Sequence, residues 1–236
     1  MGSCSTGSGC GCNTNNNTPT RPLITKNKVN KDLQEYWDTI YNIIDYRKNG
    51  WYEEYPEPTL NLIKELNLPT TSRILNVGAG TTTLVDELLQ LGFENIIATD
   101  ISQTALDLLK ERLENHAETV EYIVDDLTNP TILEQIEPVD LWIDRAVFHF
   151  FTEVKDQETY VDLLSQKVKK GGYAIIATFN LKGATKCSGL PVRRYNELML
   201  KGKLEKDFDL IKSFEYLYTM PSGDTRPYLY TLFKKK

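Results

Sequence analysis

Hydrophobic positions along this chain repeat first at helical spacing and then in short runs that alternate with further helical stretches. Leu33, Trp37, Ile40, Tyr41 and Ile44 recur every three or four residues, predicting an amphipathic helix that starts near Lys31. A loop, Gly50-Trp51-Tyr52-Glu53-Glu54-Tyr55-Pro56-Glu57-Pro58, precedes a second helical stretch carrying Leu60, Ile63, Leu66 and Leu68. Ile74, Leu75 and Val77 form a compact apolar run of strand character. Gly78 and Gly80 then allow a tight turn, and Leu84, Val85, Leu88 and Leu89 return to helical spacing. The alternation continues with a strand over 95–99 and a helix capped by Ser102 that runs to about Asn115. Strands over 120–124 and 140–144 follow, then a helix from about Asp156 to Lys169 ended by Gly171-Gly172, and a strand over 173–179. Two late strands, near 214–220 and 228–233, flank Pro221-Ser-Gly-Asp as a hairpin. Repeated strand–helix units predict an α/β fold: a doubly wound, Rossmann-like, mostly parallel seven-stranded sheet with a C-terminal antiparallel hairpin.

Acidic residues close three of these strands: Asp100, Asp126 (or its neighbour Asp125) and Asp144. In an open parallel sheet the ligand lies beyond the carboxyl ends of the strands, so these acids converge on one crevice above the glycine turn. Asp100 stands twenty-two residues after Gly78, where an acid bonds the ribose hydroxyls of a nucleoside. A dinucleotide fingerprint wants a third glycine, and position 83 is threonine. The glycines therefore point to a nucleoside-bearing cofactor without naming it.

The closing hairpin and the row of acids narrow the choice. From about Trp37 to the C-terminus the sequence resembles the class I S-adenosylmethionine-dependent methyltransferases. The resemblance implies that Gly78-Ala79-Gly80 faces the methionine part of S-adenosylmethionine, and of the product S-adenosylhomocysteine. It also implies that Asp100 holds the ribose, that Ile101 packs on adenine, and that Asp126 and Leu127 meet the adenine edge and face. Asn76, where the family usually carries an acid, and Thr82, where glycine is frequent, depart from the pattern. Trp37, Tyr41 and Gly50-Trp51-Tyr52 look like the aromatic segment that folds over the cofactor in thiopurine-methyltransferase-like enzymes. Asp144-Arg145 is similar to a pair found there, whose arginine faces substrate. Arg145-Ala-Val-Phe-His-Phe and Lys186-Cys-Ser-Gly-Leu-Pro-Val-Arg-Arg-Tyr195 resemble stretches of small bacterial methyltransferases.

Candidate chemistry follows from residue types. Asp144, Arg145 and His149 are the catalytic candidates: His149 as general base, because imidazole titrates near neutrality, and Arg145 as a planar fork for a substrate oxyanion. Trp37, Tyr41, Trp51 and Asp144 join the cofactor-binding candidates, and Tyr52, Arg145 and Cys187 the substrate-facing ones. His149 packed among Phe148, Phe150 and Phe151, and Arg145 paired with Asp144, are the plain structural alternatives. No metal is expected in the site. The acceptor expected is a small molecule, with a thiol or other soft atom as candidate nucleophile. The alternative is a protein lysine, followed by a non-catalytic cofactor-binding module or an NAD-binding domain.

Composition sets the outer bounds. With 236 residues the chain can bury one core, and 40% hydrophobic with 25% charged residues describes an ordinary globule. A net charge of −6 argues against nucleic acid as a partner. No apolar run approaches the roughly 18 residues of a membrane span, and no secretory segment is visible, so a cytoplasmic monomer is expected. Cys4, Cys10 and Cys12 lie in a Cys/Gly/Asn-rich stretch, and residues 1–30 are expected to be a disordered tail. Soft-metal capture by its thiolates, or lipidation at Gly2 and Cys4, are the alternatives there. The remainder, 31–236, is expected to be the catalytic domain: a helical lid segment over 31–68 and a Rossmann-like core over 69–236.

Overall fold

A computed structural model describes residues 30–236, so the expected tail and its three cysteines lie outside the described residues. The elements run α1 (Lys31–Ile43), α2 (Glu57–Leu66), β1 (Arg73–Val77), α3 (Leu84–Gln90), β2 (Asn95–Asp100), α4 (Gln103–Leu113), β3 (Val120–Val124) and β4 (Val139–Arg145). They continue with α5 (Val154–Lys167), β5 (Val168–Phe179), β6 (Lys186–Cys187), β7 (Leu190–Pro191), α6 (Glu197–Leu204), β8 (Phe208–Thr219) and β9 (Thr225–Lys235). Seven strands form one sheet in the order β3-β2-β1-β4-β5-β9-β8, and β6 with β7 make a separate small hairpin. The pairs from β3 through β5 are parallel, whereas β9 runs antiparallel to both β5 and β8. The direction of strand progression reverses between β1 and β4, which places the ligand crevice above their carboxyl ends.

Both faces of the sheet are covered, which is why its inner strands are apolar almost throughout. Ile74, Ile96, Leu141, Ile143 and Ile175 face α2, α3 and α4, while Leu75, Val77, Ile97, Trp142 and Ile176 face α5 and α6. Successive residues of β1 thus point to opposite layers. Asn76 alternates onto the Ile74 side, the one polar residue of that buried strand apart from the half-buried Arg73.

Two expectations change in the C-terminal half. The helix before β5 ends at Lys167, and Gly171-Gly172 lies inside the strand instead of terminating the helix. The pairing steps from Val139↔Val168 to Leu141↔Tyr173, so Lys169 to Gly172 bulge out of the ladder, with Gly171 at φ +79. A hidden helix, α6, has a local signal: Asn196 accepts the Met199 N–H at 2.9 Å as its cap. Its short length and weak amphipathicity mask it in the hydrophobic pattern.

Helix α1 is fastened to the core by a cap made in trans. Asp38 accepts the Ser102 hydroxyl at 2.6 Å and the Thr104 N–H at 3.0 Å, while Ser102 itself caps Ala105 at 3.1 Å. The N-terminus of α4 therefore draws its acceptors from two segments, one of them α1. Among the described residues no helix is long and apolar enough to cross a membrane.

Candidate active site

The turn after β1 is held by backbone bonds that need glycine. Gly78 and Gly80 have φ of +56 and +52, the left-handed region that disfavours a side chain. The Ala79 N–H donates to the Thr99 carbonyl at 2.9 Å, and the Gly80 N–H donates to Asp100 Oδ2 at 2.8 Å. The other Asp100 oxygen takes the Ser102 N–H at 2.9 Å. Burial pushes this carboxyl up to about 6, against the downward pull of its backbone donors at Ser102, Gly80 and Ile101. A Cβ on Gly80 would come within 2.5 Å of the Tyr41 hydroxyl, so the roof of the crevice rests on the bare turn. Gly80→Ala is expected to expel Tyr41 and to weaken cofactor affinity at least tenfold, read by calorimetry with S-adenosylhomocysteine.

Above the turn lies a cavity of about 310 Å³. Gly78, Asp100, Ile101, Asp126 and Leu127 form its floor, together with Thr99 and Val147. Asp126 is fastened by Thr128, whose N–H and hydroxyl reach it at 2.8 and 2.7 Å. Asp125, though it touches the cavity, is spent on the following loop: the N–H groups of Thr131, Ile132 and Leu133 all donate to it. The roof is aromatic. Trp51 meets Trp37 at 5.8 Å and Tyr41 at 6.1 Å between ring centroids, and Trp37 meets Phe150 at 5.4 Å, all edge-to-face. The β6–β7 hairpin closes the side with Cys187 and Leu190, and the Tyr36 hydroxyl of α1 bonds the Ser188 carbonyl at its tip.

A smaller cavity of about 40 Å³ opens on the other side of Gly78-Ala79-Gly80 and contains Tyr52, Glu53, Asn76 and Arg145. Arg145 lines both cavities and is the most engaged side chain of the site. It forms an ion pair with Glu53 at 2.8 Å, donates to the Trp51 carbonyl at 2.9 Å and to the Tyr230 hydroxyl at 3.2 Å. It also lies 4.9 Å from the ring centroids of both Tyr218 and Tyr228. Burial holds the Glu53 carboxyl above its ordinary range, while Arg145 pulls it down. Arg145 thus clamps the Trp51–Glu53 loop to the sheet. Its Nη2 and the Asn76 Nδ2 are buried without a partner beside this small cavity. Two unspent donors facing a glycine turn are suited to a ligand carboxylate.

Two expected site residues are corrected. Asp144 does not reach either cavity: it is fully buried, with its oxygens taken by the Val147 and Phe148 N–H groups and the Tyr160 hydroxyl. Burial lifts its carboxyl to about 7, and its work is to start the turn after β4. Arg145 pairs with Glu53, not with this neighbouring acid. His149 faces the core, its ring 4.6 Å from Phe179 and 4.7 Å from Phe150, with neither nitrogen bonded. Burial first, and the Arg145 charge second, push it down to about 3, so it stays neutral. A base without access to solvent or ligand takes no proton from an acceptor. His149→Phe is expected to leave the pH profile of methyl transfer unchanged, as measured by kcat between pH 6 and 9. Cys187 does line the main cavity, but burial pushes its thiol up to about 11, so it is no thiolate.

Sequence reasoning passed over Glu53, Asn76 as a donor, the β6–β7 cover and Ala146. Ala146 sits at the end of β4 with φ +68 and lines the main cavity, a strained position for a residue with a Cβ. Its N–H donates to the Ala177 carbonyl at 2.8 Å, which holds the strain in place.

This sheet order, with a glycine turn after β1 and an acid closing β2, defines the class I S-adenosylmethionine-dependent methyltransferase fold. Residues 75–176 match the family model described as a methyltransferase domain. EEF1A lysine methyltransferase 2 of Danio rerio is 27% identical over 161 residues, covering 62% of this chain and 68% of that protein. A solved S-adenosylmethionine-dependent methyltransferase from Anabaena variabilis superposes with a TM-score of 0.69 at 18% identity, covering 87% of this chain and 94% of that one. The Burkholderia thailandensis 1,6-didemethyltoxoflavin-N1-methyltransferase, solved with 1,6-didemethyltoxoflavin and S-adenosylhomocysteine, gives 0.63 at 16% identity, covering 87% and 86%. The protein is a class I S-adenosylmethionine-dependent methyltransferase.

Proposed function

We propose that this methyltransferase modifies a small molecule through a soft nucleophile such as a thiol, with residues 31–68 acting as a lid on the 69–236 core. The observation that carries this reading is the aromatic roof, Trp37, Tyr41 and Trp51, which encloses the cavity over Gly78 and Asp100. An aromatic roof drawn over the cofactor's own crevice suits a compact acceptor better than an extended polypeptide segment.

Asp100 takes the ribose hydroxyls, Ile101 and Leu127 pack on adenine, Asp126 meets the adenine edge, and Gly78-Ala79-Gly80 borders the methionine part. The cradle fits such a group, because side chains at 78 and 80 would collide with Val147 and Tyr41, and because Asn76 and Arg145 hold spare donors. When bound, S-adenosylmethionine supplies a methyl already activated by its sulfonium. What remains for the chain is to align the acceptor and exclude water. Trp37, Trp51 and Phe150 exclude it, and Arg145 keeps Trp51 in place through its carbonyl.

Among the described residues, neither cavity is lined by a histidine or a lysine. An acceptor that ionises by itself near neutrality fits such a lining, which favours a thiol over an alcohol. A second reading, methylation of a protein lysine, draws on the likeness to the Danio rerio EEF1A lysine methyltransferase 2. Tritiated S-adenosylmethionine incubated with thiophenol, with aniline and with a protein lysate separates the two. Label in the thiophenol product supports the proposal, and label confined to lysine of a protein overturns it.

A further inference from the structure

A second hollow, also about 310 Å³, lies against the outer side of Trp51 and Cys187, which line the main cavity as well. Its apolar surface comes from Ile40, Ile44, Trp51, Phe179 and Met220, and its cations are Lys48, Lys186 and Arg226. No Asp or Glu lines it, although acids outnumber bases 33 to 27 along the chain. None of the three cations forms an ion pair with a described carboxylate, and the Arg226 side chain bonds only the adjacent Thr225 carbonyl. Asn49, also in the lining, is 3% exposed and its Nδ2 has no partner. A buried amide donor left unbonded is rare unless something else bonds it.

We propose that this hollow is the anion-recognition subsite for the methyl acceptor, which is a small molecule with an apolar ring and a carboxylate. The proposal rests on the small-molecule reading above and adds the acceptor's charge. Lys48, Lys186 and Arg226 raise the local concentration of anions and disfavour an ammonium group. Asn49 gives the anion a directed hydrogen bond, and the ring lies on Ile40, Phe179 and Met220. Trp51 and Cys187, common to both hollows, put the bound acceptor next to the reaction chamber. The same charge pattern works against a lysine side chain entering by this route.

The test uses the full chain saturated with S-adenosylhomocysteine and three probes, 2-naphthoate, 2-naphthamide and a lysine-containing acidic hexapeptide, in calorimetry at low salt. Naphthoate is expected to bind at least tenfold more tightly than naphthamide, with a preference that shrinks as salt rises. The triple variant Lys48→Gln/Lys186→Gln/Arg226→Gln, at two exposed positions and one half-buried, is expected to lose that preference, with melting temperature and S-adenosylhomocysteine affinity unchanged. Asn49→Leu is expected to weaken naphthoate more than naphthamide. Equal affinity of the two naphthalene probes, or a preference that survives the triple variant, overturns the subsite. Tighter binding of the acidic peptide than of naphthoate also overturns it, in favour of a protein-docking surface. Failure of the wild type to bind S-adenosylhomocysteine would instead strike at the cofactor reading, which the naphthoate measurements leave untouched.

Discussion

Arg145→Ala is expected to cost about 3–5 kcal/mol of stability, the scale for removing one partner of a buried ion pair. Its partner Glu53 has a side chain only 7% exposed, so the carboxylate left behind has neither water nor a counter-charge. Tyr230 and the Trp51 carbonyl lose a donor in the same stroke. Urea unfolding of Arg145→Ala, Glu53→Ala and the double variant measures the coupling. The double variant is expected to be more stable than Arg145→Ala alone, since it removes the orphaned charge. A loss below about 1 kcal/mol would mean that water reaches Glu53 and that the clamp is a surface pair. The variant is also expected to release Trp51, seen as a red shift and greater quenching of tryptophan fluorescence.

Cofactor affinity is expected to fall as pH drops through about 6, because the carboxyl of Asp100, the proposed ribose partner, is held there and its ionised form is the better acceptor for two hydroxyls. The sign follows from the direction of the shift. A carboxyl raised by burial favours protonation in the fold, so its cost to stability is absent below the unfolded value near 3.8 and complete above about 6. The cofactor binds the ionised form and pulls the equilibrium the other way. Asp144, lifted to about 7, adds little to this linkage since it does not line either cavity. Asp100→Asn is expected to lower affinity for S-adenosylhomocysteine by about 1.5–3 kcal/mol, the range for hydrogen bonds to a charged group, and to flatten the pH dependence. Its amide also sets an N–H₂ against the Gly80 or Ser102 N–H, which now point at a carboxylate. Calorimetry from pH 5 to 8 on both proteins checks the slope, and an unchanged slope in Asp100→Asn would move the titrating group elsewhere.

The parallel half of the sheet was legible because its strands alternate with well-patterned helices and end in turns of distinctive chemistry. Gly78, Gly80 and Asp100 could be read together, as the spacing of a glycine turn and the next strand end is set by one strand–helix–strand unit. Residues just beyond β4 were harder. Asp144, Arg145 and His149 share one short segment, yet they point into a buried turn, a cavity wall and the core respectively. No periodicity applies where φ of Ala146 is +68 and the chain turns through an irregular 3₁₀ segment. Glu53 looked like one of several loop carboxylates, because its partner is ninety-two residues away and only the folded sheet brings them together. The β6–β7 hairpin has two residues in each strand, too few for alternation to register.

Ser102 belongs to two hydrogen-bonded systems at once: its N–H is held by Asp100 and its hydroxyl by Asp38 of α1. If Asp100 holds the ribose as proposed, seating of α1 and binding of the cofactor are expected to be linked through Ser102, and such a linkage is reciprocal. The factor by which bound cofactor firms the docking of α1 equals the factor by which docked α1 raises cofactor affinity. A roof held more firmly in place is therefore expected to slow the exchange of spent cofactor for fresh, and this serine–aspartate contact is one point at which capture is traded against release.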